Sequence, residues 1–301
     1  MNRCLELGAI VGCLLACALA NSAGEEAKPL AFKTGVGGEF TFDTGIVRGK
    51  LREGGASKGL SQVVHIPTGQ RLDSSMGLFS HYRVFTHGRR YGVGAWDWPS
   101  KATLETDGSV IVHWTALPDR PFEMSAHYRW TTPNTLDLET SVVAKTNLVK
   151  FESFLASYFA PAFTNSAVCT GAAGKFSAAA KEAGVWQAFP RDAAVVPVIN
   201  DGRWKLEPNP VEWILQPAFS KPLAFRRDPE LGLTTALMGD PRGCFAICTP
   251  HETEAHYSTY LSLFGRDIRA GERVTVAARM IFLNRPGEPE LVAAYGACPW
   301  K

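Results

Sequence analysis

The segment between Phe122 and Phe163 constrains the fold of this 301-residue chain more than any other. Residues 136–142 alternate between mostly apolar and polar side chains, and this period of two is typical of a half-buried β-strand. Residues 151–159 continue the same alternation. The sequence Thr-Thr-Pro-Asn before residue 135 predicts a turn, because proline presets φ and asparagine tolerates the left-handed region. The segment therefore predicts an antiparallel β-meander with one solvated face.

Other stretches extend this prediction to the whole chain. Residues 39–60 alternate short β-like runs with glycine-rich turns, and Asp107-Gly108 predicts a hairpin turn. The sequence Gly-Asp-Pro-Arg-Gly at residues 239–243 predicts another hairpin, and residues 274–282 predict a closing strand. We expect helix only in short pieces, for example at residues 177–183, and a peripheral tail after Asn284. The predicted fold class is all-β, a large antiparallel two-sheet sandwich forming one domain over residues 30–290.

The first 23 residues are typical of an export signal. Arg3 precedes an apolar run from Leu7 to Ala20, which is too short to span a bilayer and ends in small residues that signal peptidase accepts. We therefore expect a periplasmic or extracellular protein. An alternative remains open, because Leu-Leu-Ala-Cys at residues 14–17 resembles a lipobox, which would leave a lipid anchor on Cys17.

Cysteine usage and charge limit the partners of the exported chain. Cys169, Cys244, Cys248 and Cys298 remain after the signal, which allows up to two disulfides in three pairings. Cys244 and Cys248 lie about 13 Å apart along a strand, too far to bond each other. No cysteine or histidine spacing matches a closed zinc site, so we predict neither metal nor cofactor. A net charge of +2 with no run of basic residues argues against nucleic-acid binding.

Three successive motifs resemble a known family. The sequences THGRRYGVGAWDW, RPFEMSAHYRW and NTLDLETSVVAKTNLVKFESFLASYF resemble the central strands of the galactose mutarotase and aldose epimerase superfamily, particularly its hexose-phosphate epimerase branch. The ending, from FAICTPHE to LFGRDIRAGERVTVAARMIF, is similar to the closing strands of that superfamily. The likeness covers residues 36–283. It implies a twisted two-sheet sandwich whose concave face holds a sugar.

The resemblance also implies how the chemistry differs from that of the family. Its epimerases pair a glutamate base with a histidine acid, and the histidine of the His-x-Tyr-Phe motif falls on Ala156, which donates no proton. Thr249 stands where the base is expected, with Glu252 nearby. His87 matches the histidine of the His-Gly motif, and Arg90 approximates its arginine. The resemblance implies sugar binding with altered or lost epimerase chemistry.

The residues themselves supply candidates for a sugar site. Arginine forks suit carboxylates and hydroxyl groups, and tryptophan faces suit the C–H faces of pyranoses. The Trp96-Asp97-Trp98 segment is expected to present two indoles on one strand face, with the carboxylate on the opposite face. The candidate substrate-binding residues are His81, Arg83, Arg89, Arg90, Trp96, Asp97, Trp98, Tyr158 and Arg203. The candidate catalytic residues are His87, Glu152 and Glu252. The same side chains also fit a simpler interpretation as solvated loop charges, core tryptophans and a surface strand carboxylate.

Three functional hypotheses follow. The first is an exported protein that binds a carbohydrate or a uronic acid. The second is a sugar-active enzyme, an epimerase, lyase or hydrolase, that uses His87, Arg90, Glu152 and Glu252. The third is a structural sandwich that packs against another exported protein, which predicts an exposed apolar patch and a filled concavity.

Overall fold

The computed structural model describes residues 30–171, 174–179, 186–250 and 257–300. The predicted export signal, the lipid-anchor position Cys17 and the catalytic candidate Glu252 lie outside these ranges. Within them, no helix has both the length and the apolar character needed to cross a bilayer.

The described residues are mostly strand. The first ten strands are β1 (Lys33–Thr34), β2 (Phe40–Asp43), β3 (Val47–Leu51), β4 (Leu60–His65), β5 (Ser80–Thr86), β6 (Arg89–Arg90), β7 (Lys101–Leu104), β8 (Val110–Trp114), β9 (Phe122–Thr132) and β10 (Thr135–Ala144). The others are β11 (Leu148–Tyr158), β12 (Asn165–Cys169), β13 (Phe176–Ala178), β14 (Trp186–Pro190), β15 (Trp213–Leu215), β16 (Leu223–Arg227), β17 (Leu233–Gly239), β18 (Cys244–Pro250), β19 (Ser258–Ile268) and β20 (Arg273–Asn284). Two α-helices are present in this part of the chain, α1 (Val196–Ile199) and α2 (Glu288–Gly296).

These strands form three sheets. A four-stranded sheet has the order β1-β2-β3-β4, and a nine-stranded sheet has the order β13-β12-β16-β17-β20-β10-β9-β8-β7. A seven-stranded sheet has the order β15-β14-β18-β19-β11-β5-β6, in which only the β14–β15 pair is parallel. The two large sheets share one apolar core, to which the four-stranded sheet also contributes. The predicted all-β two-sheet sandwich with minor helices is confirmed.

Local pairing follows the sequence prediction in two places and departs from it in two others. The hairpins β9–β10 and β7–β8 form at the predicted turns. The predicted meander nevertheless ends at Ala144, because β10 belongs to the nine-stranded sheet and β11 to the seven-stranded one. The predicted hairpin at residues 239–243 is wrong for the same reason, since β17 and β18 lie in different sheets. A period of two reports which face is buried, and it does not report the neighbouring strand.

Three smaller expectations also change. Helix was expected at residues 177–183, yet residues 176–178 pair with β12 as a strand. The tail after Asn284 is not peripheral, because Leu291 and Tyr295 of α2 are buried in a second apolar cluster against the nine-stranded sheet. Neither of the two allowed disulfides forms, since the four candidate cysteines are buried free thiols: Cys169, Cys244, Cys248 and Cys298.

Candidate functional site

A cleft of about 620 Å³ opens on the seven-stranded sheet. Seven aromatic residues line it: Tyr82, Trp96, Tyr158, Phe159, Trp186, Tyr257 and Tyr260. Its charged lining residues are Arg83 and Asp97, and Asn209 is a further polar one. Ligand sites of proteins usually combine an apolar concave lining with a few placed polar groups, and this cleft has that character.

Strand β11 shows which face of the sheet carries the cleft. Phe151 and Leu155 point into the core between the two large sheets. Phe154, Ala156 and Tyr158 belong to a separate apolar cluster on the opposite face. The alternation predicted from the sequence for residues 151–159 implies that Ala156 and Tyr158 share a face, and the structure confirms it.

A β-bulge in β5 turns two consecutive side chains toward the cleft. Ser153 of β11 pairs with Val84, and Leu155 pairs with His81, so one residue of β11 faces two residues of β5. The two bulged residues are Tyr82 and Arg83, and both line the cleft. A regular strand would send them to opposite faces, whereas bulges commonly re-aim side chains beside functional sites.

The aromatic rings of the cleft hold one another in fixed orientations. Tyr82 and Trp96 are stacked, with ring centroids 4.2 Å apart and planes at 3°. Tyr158 meets Trp96 edge-on at 6.1 Å and Tyr260 at 5.7 Å. The Tyr260 hydroxyl donates a 2.9 Å hydrogen bond to the Tyr158 hydroxyl and accepts one of 2.9 Å from Ser258. This arrangement presents rigid ring faces and edges whose rotamers are already ordered.

Residues 201–211, here called the covering loop, form one side of the cleft and are bound by arginines from β5 and β6. Arg83 donates to the carbonyl of Asn209 at 2.7 Å and to that of Trp204 at 3.4 Å. Arg90 donates to the carbonyls of Leu206 and Pro208. Because these bonds use backbone acceptors, they fix the position of the loop, and neither arginine forms an ion pair with a described carboxylate.

A third arginine secures the start of the covering loop. Arg203 is completely buried and lies 3.1 Å from Glu152 and 2.7 Å from Asp201. The indole nitrogen of Trp204 donates to the same Glu152 carboxylate at 3.2 Å. One guanidinium therefore serves two carboxylates beneath the loop. Neither Glu152 nor Arg203 lines the cleft.

The pKa values of Glu152 and Asp201 are shifted in opposite directions, although both carboxylates pair with Arg203. Burial raises the pKa of the Glu152 carboxyl above its ordinary 4.5, and Arg203 opposes this shift only in part. The pKa of Asp201 is lowered, because hydrogen bonding and charge from Arg203 outweigh its partial burial. The sequence analysis expected Glu152 at an open concave surface as a catalytic group. The structure instead seals it under Trp204, so it does not reach the cleft.

Tyr82 is the titratable cleft residue with the most unusual surroundings. Burial alone would raise the pKa of its phenol, but the adjacent Arg83 and Arg90 guanidiniums and a bond with Asn209 lower that pKa below 10.0. The neighbouring Tyr158 and Tyr260 lack this compensation, and burial raises the pKa of both. Tyr82 should thus ionise at lower pH than Tyr158 and Tyr260.

His81 does not belong to the cleft, although it neighbours Tyr82 in sequence. Its side chain points into the core between the sheets, where it is hydrogen-bonded to Thr140 at 2.8 Å and lies edge-on to Trp114. Burial lowers the pKa of His81 to about 3, so the ring is neutral at physiological pH. The expected substrate-binding role is therefore corrected to a core position, because the bulge begins one residue later.

Three other predicted residues lie outside the cleft. His87 is exposed and 3.3 Å from Asp201, at the outer end of the covering loop. Arg89 donates to the carbonyl of Asp119 and stacks over Tyr91. Trp98 packs against Phe122 and under Arg120. None of the three lines the cleft.

The Trp96-Asp97-Trp98 segment also differs from its prediction. It was expected to present two indoles on one strand face, but Ala95–Asp97 form a 3₁₀ turn. The turn sends Trp96 and Asp97 to the cleft and Trp98 away from it, and the Trp96 indole donates to Asp97 at 2.9 Å. In the described ranges, no cluster of three His, Cys, Asp or Glu side chains could hold a metal ion.

Several lining residues were missed from the sequence: Tyr82, Trp186, Asn209 and Tyr260. Each lies in a separate segment, and no motif joins them. The aromatic content of residues 186–213 was the available signal, because long excursions rich in aromatic residues commonly serve a site. Candidates from the sequence that do line the cleft are Arg83, Trp96, Asp97 and Tyr158.

Comparison with known proteins gives matches to solved structures. The chain matches no protein-family model and no curated protein sequence. The Slr1438 protein from Synechocystis sp. PCC 6803 superposes with a TM-score of 0.51 at 11% identity, covering 81% of this chain and 94% of that one. Galactose 1-epimerase from Lactobacillus acidophilus has a TM-score of 0.46 at 11% identity, covering 82% and 94%. The GalM/aldose epimerase homologue from C. elegans has a TM-score of 0.46 at 8% identity, covering 80% and 96%.

The fold is galactose mutarotase-like. The sequence resemblance predicted this fold, and the all-β sandwich with long antiparallel sheets agrees with it. Identities of 8–11% show a shared fold alone, because one fold hosts many functions. The activity of the mutarotase-like chain must therefore be argued from its own cleft.

Proposed function

We propose that this mutarotase-like protein binds a carbohydrate in the cleft of its seven-stranded sheet. The observation that carries the proposal is the set of seven aromatic residues around a volume of about 620 Å³, interrupted by few polar groups. Stacked rings with polar edges suit sugars, whose C–H faces are apolar and whose hydroxyl groups lie at the rim. Related mutarotase-like structures include a galactose 1-epimerase, which supports a sugar as the ligand class.

We further propose that the epimerase chemistry of the superfamily is altered or lost. Among the described lining residues, Asp97 is the one carboxylate and no histidine is present. Glu152 is sealed in an ion pair with Arg203, and the sequence resemblance aligns the family histidine with Ala156. General acid–base catalysis needs both groups within hydrogen-bond reach of one substrate, and the described cleft offers no such carboxylate–histidine pair. Binding is therefore favoured over sugar epimerisation.

A sugar-active enzyme is the second candidate, and one observation favours it. Tyr82 has a lowered pKa and lies at the cleft between two arginines, as a phenolic acid or base would. This candidate predicts slow conversion of a bound saccharide that Tyr82→Phe abolishes while binding persists. The structural-partner hypothesis is less favoured, because it predicted a filled concavity and the cleft is open.

We propose export as the cellular setting, on the strength of the charged and apolar pattern of residues 1–23. A lipid on Cys17 remains the alternative. Expression of the full chain, followed by N-terminal sequencing and mass analysis of the mature protein, distinguishes cleavage near residue 23 from acylation at Cys17. Retention of Met1 in the mature protein would contradict both.

The binding proposal is tested by screening the chain without its first 23 residues on an array of neutral and acidic glycans. Trp96→Leu is expected to weaken every positive signal. The matched control is Trp98→Leu, since Trp98 belongs to the same segment but packs away from the cleft. An array with no positive glycan, or equal losses in both variants, would contradict carbohydrate binding in this cleft.

A further inference from the structure

Arg83 has a buried hydrogen-bond donor that an anion in the cleft could accept from. Its side chain is 4% exposed, it lines the cleft, and two of its nitrogens donate to backbone carbonyls of the covering loop. Its third nitrogen, Nε, is buried and has no hydrogen-bond partner among the described residues. Buried polar groups are nearly always hydrogen-bonded. A ligand oxygen that accepts a hydrogen bond from Nε would therefore satisfy this donor.

The charge of Arg83 is also unbalanced. The other deeply buried cation beneath the covering loop, Arg203, has two carboxylates within 3.1 Å. Arg83 has no ion pair with any described acidic residue, and Arg90 beside it donates to backbone carbonyls and interacts with the Tyr82 phenol. Asp97, the one described carboxylate on the cleft, accepts the Trp96 indole hydrogen instead. A buried charge without a counter-ion is unfavourable, so a ligand anion would stabilise this side of the cleft.

We propose that the cleft recognises an acidic saccharide and that Arg83 binds the carboxylate of one of its uronic acid units. The inference rests on the carbohydrate binding proposed above and specifies the class of sugar. Nε and a terminal nitrogen of an arginine present two parallel N–H groups, which match the two oxygens of a carboxylate. The stacked rings of Tyr82 and Trp96 lie beside Arg83 and can pack against the pyranose that carries the carboxylate.

A series of acidic and neutral saccharides tests this inference on the wild-type protein. The probes are oligogalacturonate, oligomannuronate and oligoglucuronate, each compared with its carboxyl-reduced form, which is neutral but otherwise identical. Titration calorimetry is expected to show binding of at least one acid and about 10-fold or greater loss on reduction, the effect of one charge-assisted bidentate contact. The affinity for the acid, and not for the reduced form, is expected to fall as salt rises.

Variants locate the contact. Arg83→Gln is expected to remove the preference for the acid over its reduced form, so that its loss of affinity for the acid exceeds its loss for the reduced form by about 10-fold or more. Arg89→Gln removes the same charge from a side chain outside the cleft and is expected to bind normally. If Arg83→Gln does not fold, the comparison between acid and reduced ligand on the wild type still decides the inference.

The outcomes separate this inference from the proposed function. Equal binding of an acid and its reduced form overturns the uronate assignment but leaves carbohydrate binding intact. Preference for a sulfated galactan oligomer free of uronic acid over every uronate overturns the carboxylate as the recognised group. Absence of binding to acidic and neutral saccharides alike overturns both proposals.

Discussion

Tyr82 and Trp96 form a nearly parallel stack, with ring centroids 4.2 Å apart, although the two residues come from a strand and a 3₁₀ turn. The stack depends on the bulge that turns Tyr82 toward the cleft. Tyr158 closes the other side of Trp96 edge-on. The three rings form one rigid surface, so a change in any of them should affect the ligand more than an equal change elsewhere.

The first prediction concerns Trp96. Trp96→Leu should reduce the affinity for the best glycan about 3- to 10-fold, since one aromatic contact contributes about 0.5–1.5 kcal/mol beyond burial. Trp98→Leu should leave the affinity unchanged, because Trp98 contacts Phe122 and Arg120 instead of the cleft. Calorimetry on both variants, with urea unfolding to verify their folded state, makes the comparison. A greater loss of affinity in Trp98→Leu would contradict the assigned site.

The second prediction concerns the ionisation of Tyr82. Its phenol should titrate below 10.0, because Arg83 and Arg90 favour the phenolate enough to exceed the effect of burial. Absorbance of phenolate during alkaline titration should therefore show an early component that Tyr82→Phe removes. Arg83→Gln should move that component to higher pH. In contrast, Tyr158→Phe should remove only a late component, because burial raises the pKa of Tyr158.

The sign of the stability effect follows from the same shift. The folded pKa of Tyr82 lies below its unfolded value, so its ionisation favours the folded state as pH rises. That contribution is complete above the unfolded pKa and is lost as pH falls through the folded pKa. The difference in unfolding free energy between the wild type and Tyr82→Phe should therefore shift in favour of the wild type with increasing alkaline pH. A constant difference would show that the arginines do not act on Tyr82.

Some features of this site can be predicted from the sequence, and others cannot. Residues 151–159 were predicted to alternate, and they do, with Ala156 and Tyr158 on the cleft side. That pattern depends on strand geometry alone, so it is readable locally. The bulge at Tyr82 and Arg83 is different, because it exists only in the register between β5 and β11, about 70 residues apart in the chain.

The covering loop illustrates the same limit. Arg83 contacts Asn209 across 126 residues, and Arg203 contacts Glu152 across 51. No local sequence pattern predicts such pairs, and for this reason Glu152 was expected to be an accessible carboxylate. The assignment of β10 and β11 to one meander was wrong for a similar reason. Both strands alternate apolar and polar residues, but they pair with different neighbours and lie in different sheets. Long-range partners, not local propensities, decide which polar residues reach the cleft.

The third prediction concerns the buried ion pair. Arg203→Met should lower the unfolding free energy by about 3 kcal/mol or more, because it leaves Glu152 buried without its counter-ion. The control is Lys205→Met in the same loop, whose exposed ion pair with Glu212 contributes about 1 kcal/mol or less. Urea unfolding measures both. Similar losses in the two variants would mean that Arg203 does not compensate Glu152.

The last prediction tests how Glu152 titrates. Because burial raises its folded pKa above the ordinary 4.5, protonation of Glu152 favours the folded state. This stabilisation is fully present below pH 4.5 and is lost as pH rises through the raised folded pKa. Glu152→Gln mimics the protonated form and cannot ionise. Its unfolding free energy relative to that of the wild type should therefore increase as pH rises from about 4.5 toward neutrality. A relative stability that falls over this range would mean that Arg203 stabilises the ionised carboxylate more than burial disfavours it.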